Sequence, residues 1–292
     1  MNLVPNDFEP PKDPNTKIWR YMNFTKFVDM LESGSLYFSR ADRLGDAFEG
    51  SWSKPFPLSD ILLSPTEDKR YGVALGRALF KLLREYVFAS CWHINEYESM
   101  AMWSVYGGSN DAVAVQSTYS LLRESLPPAF HLGVVRYTLG SQADESISKS
   151  EDAKDLEHVM SVISKMHPSL DPDSLQEPFL DQRFQKMLLG IFLRKRRAFE
   201  HERELRAVVF LLNLLDYPAS IGSYVRYEQG DPLPHPYTLG IPQPVELSQL
   251  VERIYISPRA HTWFYDLVKK VTTRYGLDVP VDPTSLDAEP IF

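Results

Sequence analysis

Cysteine is almost missing from this chain. Cys91 is the only one in 292 residues, which excludes an intrachain disulfide and any zinc site built on several thiolates and fits a reducing compartment. No apolar run approaches the roughly 18–20 residues of a membrane helix, and no basic-then-apolar leader opens the sequence. A cytoplasmic protein with no membrane partner is expected. An excess of positive charge is also absent. The formal net charge of −8 gives no global attraction to nucleic acid or to anionic lipid. Gly-x-Gly-x-x-Gly, Gly-x-x-x-x-Gly-Lys-Ser/Thr, His-Glu-x-x-His and Gly-x-Ser-x-Gly do not occur, so kinase, P-loop, zincin and α/β-hydrolase chemistries are disfavoured. No internal repeat, heptad or low-complexity linker forces a division into domains.

What is present is an ordinary globular composition, 43% hydrophobic and 24% charged, sufficient for a sizeable core. Residues 1–16 read as an irregular arm rich in Pro, Asn and Asp. Strands are expected at 17–22, 36–40, 86–92, 112–117, 131–137 and 253–256, with one more at 237–241 inside a Pro-rich excursion over 218–244. Phe24, Phe27, Val28 and Leu31 follow helical spacing, closed by Gly34. Further helices are expected within 67–84, 98–106, 156–166 and 176–199, and over 262–275 closed by Gly276. Strands and helices alternate without a βαβ rhythm. The expected fold is α+β, a mixed or mostly antiparallel sheet with flanking helices, in one domain over 17–292 with a helical insertion at about 142–200.

The segment from Arg194 to Arg206 carries the strongest chemical signal. Glu202, Glu204 and Arg206 lie within five positions and lead directly into the apolar Ala207–Leu212. On a strand the three share one face, roughly 6–7 Å apart along it. Charge entering a core strand marks a candidate site. If the preceding helix continues instead, Glu202 and Arg206 form an (i, i+4) pair worth about 0.3–0.5 kcal/mol. The run Arg194–Arg197 reads most simply as the solvated face of that helix.

Asp46 and Glu49 lie in a loop between a strand and a helix, and Arg40 precedes them. These carboxylates either join Glu202 and Glu204 around Mg²⁺ or Mn²⁺, with Lys195 beside them as in a metal-dependent nuclease, or form an acidic turn in which Glu49 pairs with Arg43. Arg40 either holds phosphate or neutralises Asp46. Cys91 and His93 alternate onto one strand face, but the apolar neighbours of Cys91 favour a buried, inert thiol over an acyl-transfer dyad. Trp103 and Tyr106, three apart on a short helix, either pack in the core or wall a pocket.

As a set, Trp19-Arg20-Tyr21, Arg40 with Gly45-Asp46-Ala47-Phe48-Glu49, Cys91-Trp92, Glu98 to Trp103 with Tyr106, and Lys195 with Phe199, Glu202, Glu204 and Arg206 resemble an uncharacterised bacterial family catalogued as domain of unknown function 2971. That resemblance spans residues 17 to about 256 and implies relatives, not chemistry. The chain also resembles the ADP-ribosyltransferase superfamily. Arg20 on an early strand, the Tyr37-Phe38-Ser39 strand and Glu202-Arg203-Glu204 stand in the order of that superfamily's three motifs, whereas the Asp46–Glu49 loop and the Trp103–Tyr106 helix depart from its pattern. The resemblance implies NAD as substrate and catalysis by Glu204 or Glu202 with Arg206. It implies binding of this small nucleotide ligand by Arg20, Tyr21, Tyr37, Ser39 and Arg40, and transfer to a macromolecular target or hydrolysis. By analogy with such folds in bacteria, a role in phage defence or as a toxin is expected. A non-enzymatic sensor or scaffold is the third reading.

Overall fold

The computed structural model describes residues 8–46, 49–50, 84–108, 110–138, 189–211, 239–258, 260–284 and 286. The helices expected at 156–166 and over most of 67–84 and 176–199, and the first part of the Pro-rich excursion, lie outside them.

The fold is α+β, as its alternation pattern predicts, with a mostly antiparallel mixed sheet. The strands are β1 (Lys17–Asn23), β2 (Ser35–Arg40), β3 (Val87–Ile94), β4 (Ala112–Thr118), β5 (His131–Val134), β6 (Arg136–Thr138), β7 (Arg194–Arg196), β8 (Glu204–Phe210), β9 (Gly240–Pro244), β10 (Arg253–Ile256) and β11 (Val281–Pro283). Seven of them run in the order β11-β10-β4-β1-β3-β2-β9, and β8 joins β3 and carries β5 on its other side. All pairings in this sheet are antiparallel except β10 with β11. β6 and β7 form a separate parallel ribbon.

The decisive feature is a fork beside β3. One edge of β3 pairs with β8 along its length, from Val87↔Phe210 to His93↔Glu204. The other edge is shared. β1 takes one end through Ile18↔Ile94 and Trp19↔His93, and β2 takes the other through Ser39↔Ala89 and Arg40↔Phe88. Ser90, Cys91 and Trp92 face the gap between them.

The helices α1 (Phe24–Ser33), α3 (Tyr119–Ser125) and α5 (Thr262–Arg274) cover one face of the sheet. Asn23 caps α1 by accepting from the Lys26 amide, and Gly34 closes it at φ 56°, a left-handed turn that glycine adopts without strain. Phe27 and Leu31 of α1, Leu122 of α3 and Phe264 and Val268 of α5 pack there against Ile18, Phe38, Phe88, Trp92, Val113, Leu205, Val209 and Ile254. The opposite face holds two smaller apolar clusters, one around Trp19, Tyr21 and Trp103, the other around Ala89, Val208 and Phe192. Charged groups fill the space between them.

Several boundaries differ from the sequence expectation. No helix runs to Phe199. Residues 191–193 form a 3₁₀ turn, Arg194–Arg196 is strand β7, and Arg197–Glu202 is a second 3₁₀ segment. The expected strand over 131–137 is divided at Val135 into β5 and β6, which join different sheets. The short helix near 98–106 is α2 (Met100–Met102) continuing into a π turn, Trp103–Gly107. Helix α3 and strand β11 carried too little periodicity to be foreseen. A fourth short helix, α4 (Leu247–Leu250), precedes β10. Among the described residues no helix is long and apolar enough to cross a membrane.

Candidate functional site

Antiparallel pairing fixes which side chains share a face. Glu204 lies opposite His93, and Arg206 opposite Cys91, so these four point the same way. Ser90, Trp92, Leu205 and Ala207 point to the helix-covered core.

β7 reaches the same place from the side. Its Arg-Lys-Arg sequence alternates faces, with Lys195 6% exposed while Arg196 is exposed. Tyr137 of β6 pairs with Lys195, and its hydroxyl accepts from the Glu204 backbone N–H at 2.8 Å. The basic run is therefore not the solvated face of a helix. Its central residue is turned inward by strand geometry.

Three carboxylates and two cations meet there. Lys195 Nζ is 2.5 Å from Glu202 Oε2 and 3.4 Å from both Glu204 Oε2 and Glu49 Oε1. Arg206, with no exposed surface, donates to Glu204 Oε2 at 2.6 Å and to the Phe192 carbonyl at 2.8 Å, and its Nη1 lies 2.7 Å from Glu49 Oε2. Glu49 is held by charge at these distances without a well-aligned hydrogen bond. Cys91 shares the face of Glu204, and Tyr106, still 45% exposed, lies close enough to Glu202 to feel its charge.

Two backbone features deliver these groups. Arg203 adopts φ 42°, an uncommon left-handed conformation for a side-chain-bearing residue. It lets Glu202, at the end of the 3₁₀ segment, and Glu204, at the start of β8, converge on one ammonium although strand alternation alone would space them along the chain. Glycine adopts this conformation more easily. Arg203→Gly is expected to stabilise the fold by about 0.5–1 kcal/mol, less whatever the Arg203–Asn95 side-chain bond at 3.1 Å contributes; urea denaturation checks the sign. Gly50, at φ 68°, follows Glu49, and a Cβ there would collide with the Phe192 ring. Gly50→Ala is expected to destabilise by more than 1 kcal/mol, since both the turn and the ring must shift. Urea denaturation reads this change too.

The electrostatics follow from this packing. Burial alone would raise the Glu204 carboxyl, but Arg206 and Lys195 outweigh it and hold it below the ordinary 4.5. Burial alone would lower Lys195, but Glu204, the bond to Glu202 and Glu49 hold it above 10.5. A depressed carboxyl contributes stability that is present above pH 4.5 and lost as pH falls through its folded value. A raised ammonium contributes stability that is present below pH 10.5 and lost as pH rises through its folded value. Thermal melts are therefore expected to plateau between these limits and to fall on the acid side below pH 4.5. A melting temperature flat from pH 6 to pH 3 contradicts this.

The sequence candidates divide into groups. Glu202, Glu204, Arg206, Lys195, Glu49 and Tyr106 come together. Asp46 does not join them. It is bound through both oxygens by Arg196, at 2.8 and 2.9 Å. The expected Glu49–Arg43 turn pair is replaced by Glu49 with Arg206 and Lys195. The (i, i+4) pair of Glu202 and Arg206 does not form, because no helix spans them. Arg40 binds Asp42 at 2.6 and 2.8 Å. Tyr21 packs edge-to-face on Trp103, with ring centroids 4.9 Å apart, and its hydroxyl accepts from the Ser99 N–H.

Arg20 points to the core side of β1, opposite to Trp19 and Tyr21, and fills the fork. It donates to Ser90 Oγ at 2.9 Å and to the Tyr37 carbonyl at 2.8 Å. Among the described residues no carboxylate pairs with it, and burial lowers its pKa to about 10. Tyr37 and Ser39 lie on the face of Ala89 and Cys91. Arg20 and the carboxylate cluster thus occupy opposite faces and approach each other only at the gap in the sheet.

The carboxylates face an ammonium and a guanidinium, and among the described residues no group of three or more His, Cys, Asp or Glu side chains is placed to hold a metal ion. Lys195 occupies the point on which Glu49, Glu202 and Glu204 converge, where a Mg²⁺ or Mn²⁺ ion of the nuclease reading would sit. Tyr137 and Arg196 were not singled out as site residues, and His93 was weighed only as a dyad partner of Cys91. The Arg136-Tyr137-Thr138 and Arg194-Lys195-Arg196 alternations were the available signal for the ribbon, although nothing in the sequence pairs the two segments.

No family model matches the chain, and no curated protein or solved structure is detectably similar to it. The fold and the charge cluster therefore define it as an α+β protein with a buried acid–base network on one sheet face.

Proposed function

We propose that the chain is an NAD-using enzyme of the ADP-ribosyltransferase type, which breaks the nicotinamide–ribose bond and passes ADP-ribose to a macromolecule or to water. The observation that carries this reading is the fork. A half-buried guanidinium, Arg20, stands in it with no carboxylate partner among the described residues, and Glu204 lies on β8, just beyond β3. A partly buried cation without a counter-ion can take an anionic ligand, and the pyrophosphate of a dinucleotide is a fitting anion for a guanidinium. Tyr37 and Ser39, on the strand that forms the fork, supply an aromatic face and a hydroxyl.

Glu202 suits the sugar better than Glu204. The Glu204 carboxylate is taken up by Arg206 and Lys195, whereas Glu202 is covered by the half-exposed Tyr106. Displacing Tyr106 frees an oxygen to bind a ribose hydroxyl and to stabilise the positive charge that develops as nicotinamide leaves. The test is release of free nicotinamide from NAD by the purified chain, with water, nucleic acid or cell protein offered as acceptor. Release supports the reading. None with any acceptor overturns it.

One observation favours the non-enzymatic reading. Glu202 and Glu204 are each only 5% exposed and already hold cationic partners, as in a structural network. That reading predicts a lower melting temperature for Glu204→Gln and no nicotinamide release from the unaltered protein.

A further inference from the structure

His93 is one of the chain's seven histidines and sits at the centre of the candidate site without a role so far. It is 5% exposed. Its Nδ1 lies 2.6 Å from the Glu202 carbonyl oxygen. A carbonyl only accepts, so Nδ1 carries the proton and Nε2 presents a bare lone pair. That Nε2 is buried and has no hydrogen-bond partner. A buried acceptor left unpaired costs about 1–3 kcal/mol, and native proteins leave few of them.

Its surroundings point to a use. His93 shares the face of Glu204 and Cys91, lies directly opposite Trp19, and meets the Tyr21 ring edge-on at 6.2 Å. Glu204 beside it is a poor proton acceptor. Glu204 is held ionised by Arg206 and Lys195, and Glu202 is bound by the Lys195 ammonium. The imidazole is the one neutral base among these side chains whose lone pair is unspent.

Resting on the transferase reading above, we infer that His93 Nε2 is the general base of the reaction, taking the proton from the hydroxyl that accepts ADP-ribose. The acceptor oxygen forms a bond to the ribose C1′ as the C1′–nitrogen bond breaks. The bonding pair leaves with neutral nicotinamide, and the acceptor's proton goes to Nε2. The Glu202 carbonyl fixes the tautomer, so one short peptide segment carries the carboxylate that steadies the sugar and the oxygen that orients the base. Tyr21 from β1, Cys91 on its own strand, Glu204 from β8, and His201, Glu202 and Arg203 from the 3₁₀ segment surround the ring. Burial keeps it neutral at pH 7, opposed by the Glu202 carbonyl and aided by the charges of Arg203 and His201.

The test replaces His93 by asparagine, whose amide retains a donor toward Glu202 but is not basic. Nicotinamide release by wild type and His93→Asn is measured from pH 5 to pH 9, with melting temperatures to confirm folding. The expected result is a kcat lower by about 10²–10³-fold with KM for NAD within about threefold, and loss of the wild-type decline in rate on the acid side of pH 6.5. Should His93→Asn fold poorly, that acid-side decline in the wild type and restoration of His93→Ala by added imidazole give the same reading. A folded His93→Asn with near-wild-type kcat, or a His93→Ala that added imidazole does not restore, overturns the assignment while leaving the transferase reading intact. A wild type that releases no nicotinamide overturns both.

Discussion

Arg206→Met is expected to lower the stability of the fold by about 3–5 kcal/mol, roughly a 10 °C fall in melting temperature for a chain of this size at about 2–4 °C per kcal/mol. The reason lies in the charge arrangement. Arg206 has no exposed surface and bridges Glu204 and Glu49. Without it three buried carboxylates face one ammonium. Breaking a buried pair by removing one partner is costly because the remaining charge keeps its desolvation penalty. The double change Arg206→Met with Glu204→Met is expected to recover much of the loss, since two apolar groups of similar size replace a pair. Chemical denaturation of the two single variants and the double variant closes the cycle and yields the coupling. A single Arg206→Met within 1 kcal/mol of wild type is incompatible with this account of the network.

The second large effect concerns activity. Glu202→Gln is expected to reduce nicotinamide release from NAD by about 10²–10³-fold while changing stability less than Glu204→Gln. Glu202 has one cationic partner, Lys195 at 2.5 Å, and Tyr106 over it, whereas Glu204 anchors both Arg206 and Lys195. The neutral amide keeps the shape of Glu202 and removes the charge offered to the sugar. Paired assays of turnover and melting temperature separate the two roles. If Glu204→Gln loses activity with its melting temperature intact while Glu202→Gln keeps activity, the assignment of roles is reversed.

These expectations grew unevenly out of the sequence. The β2 strand, α1 with its glycine cap, β4, β10 and α5 were legible because each has a clean period of 2 or 3.6 and a turn residue at its end. The conjunction of Glu202, Glu204 and Arg206 ahead of an apolar run marked a candidate site because charge entering a core strand is energetically unusual. The helix expected through Phe199 failed because Phe192, Leu193 and Phe199 suit a helical stripe locally. The pairing of β7 with β6 overrode that local preference. The acidic loop stayed open between a metal site and a local turn because nothing in Asp46–Glu49 indicates that Gly50 lies against Phe192 and turns Glu49 inward.

The chain by itself determined the α+β class, the main strands and the residue types available for chemistry, since periodicity and composition act over a few neighbouring residues. Only the tertiary structure decided which of those residues meet. It separated Arg20 from the carboxylates by one step of strand alternation, took Asp46 away to Arg196, and brought Lys195, Glu49 and His93 to Glu202 and Glu204. Contacts between distant segments depend on strand order and register, and the fork beside β3 is set by the pairing of the whole sheet.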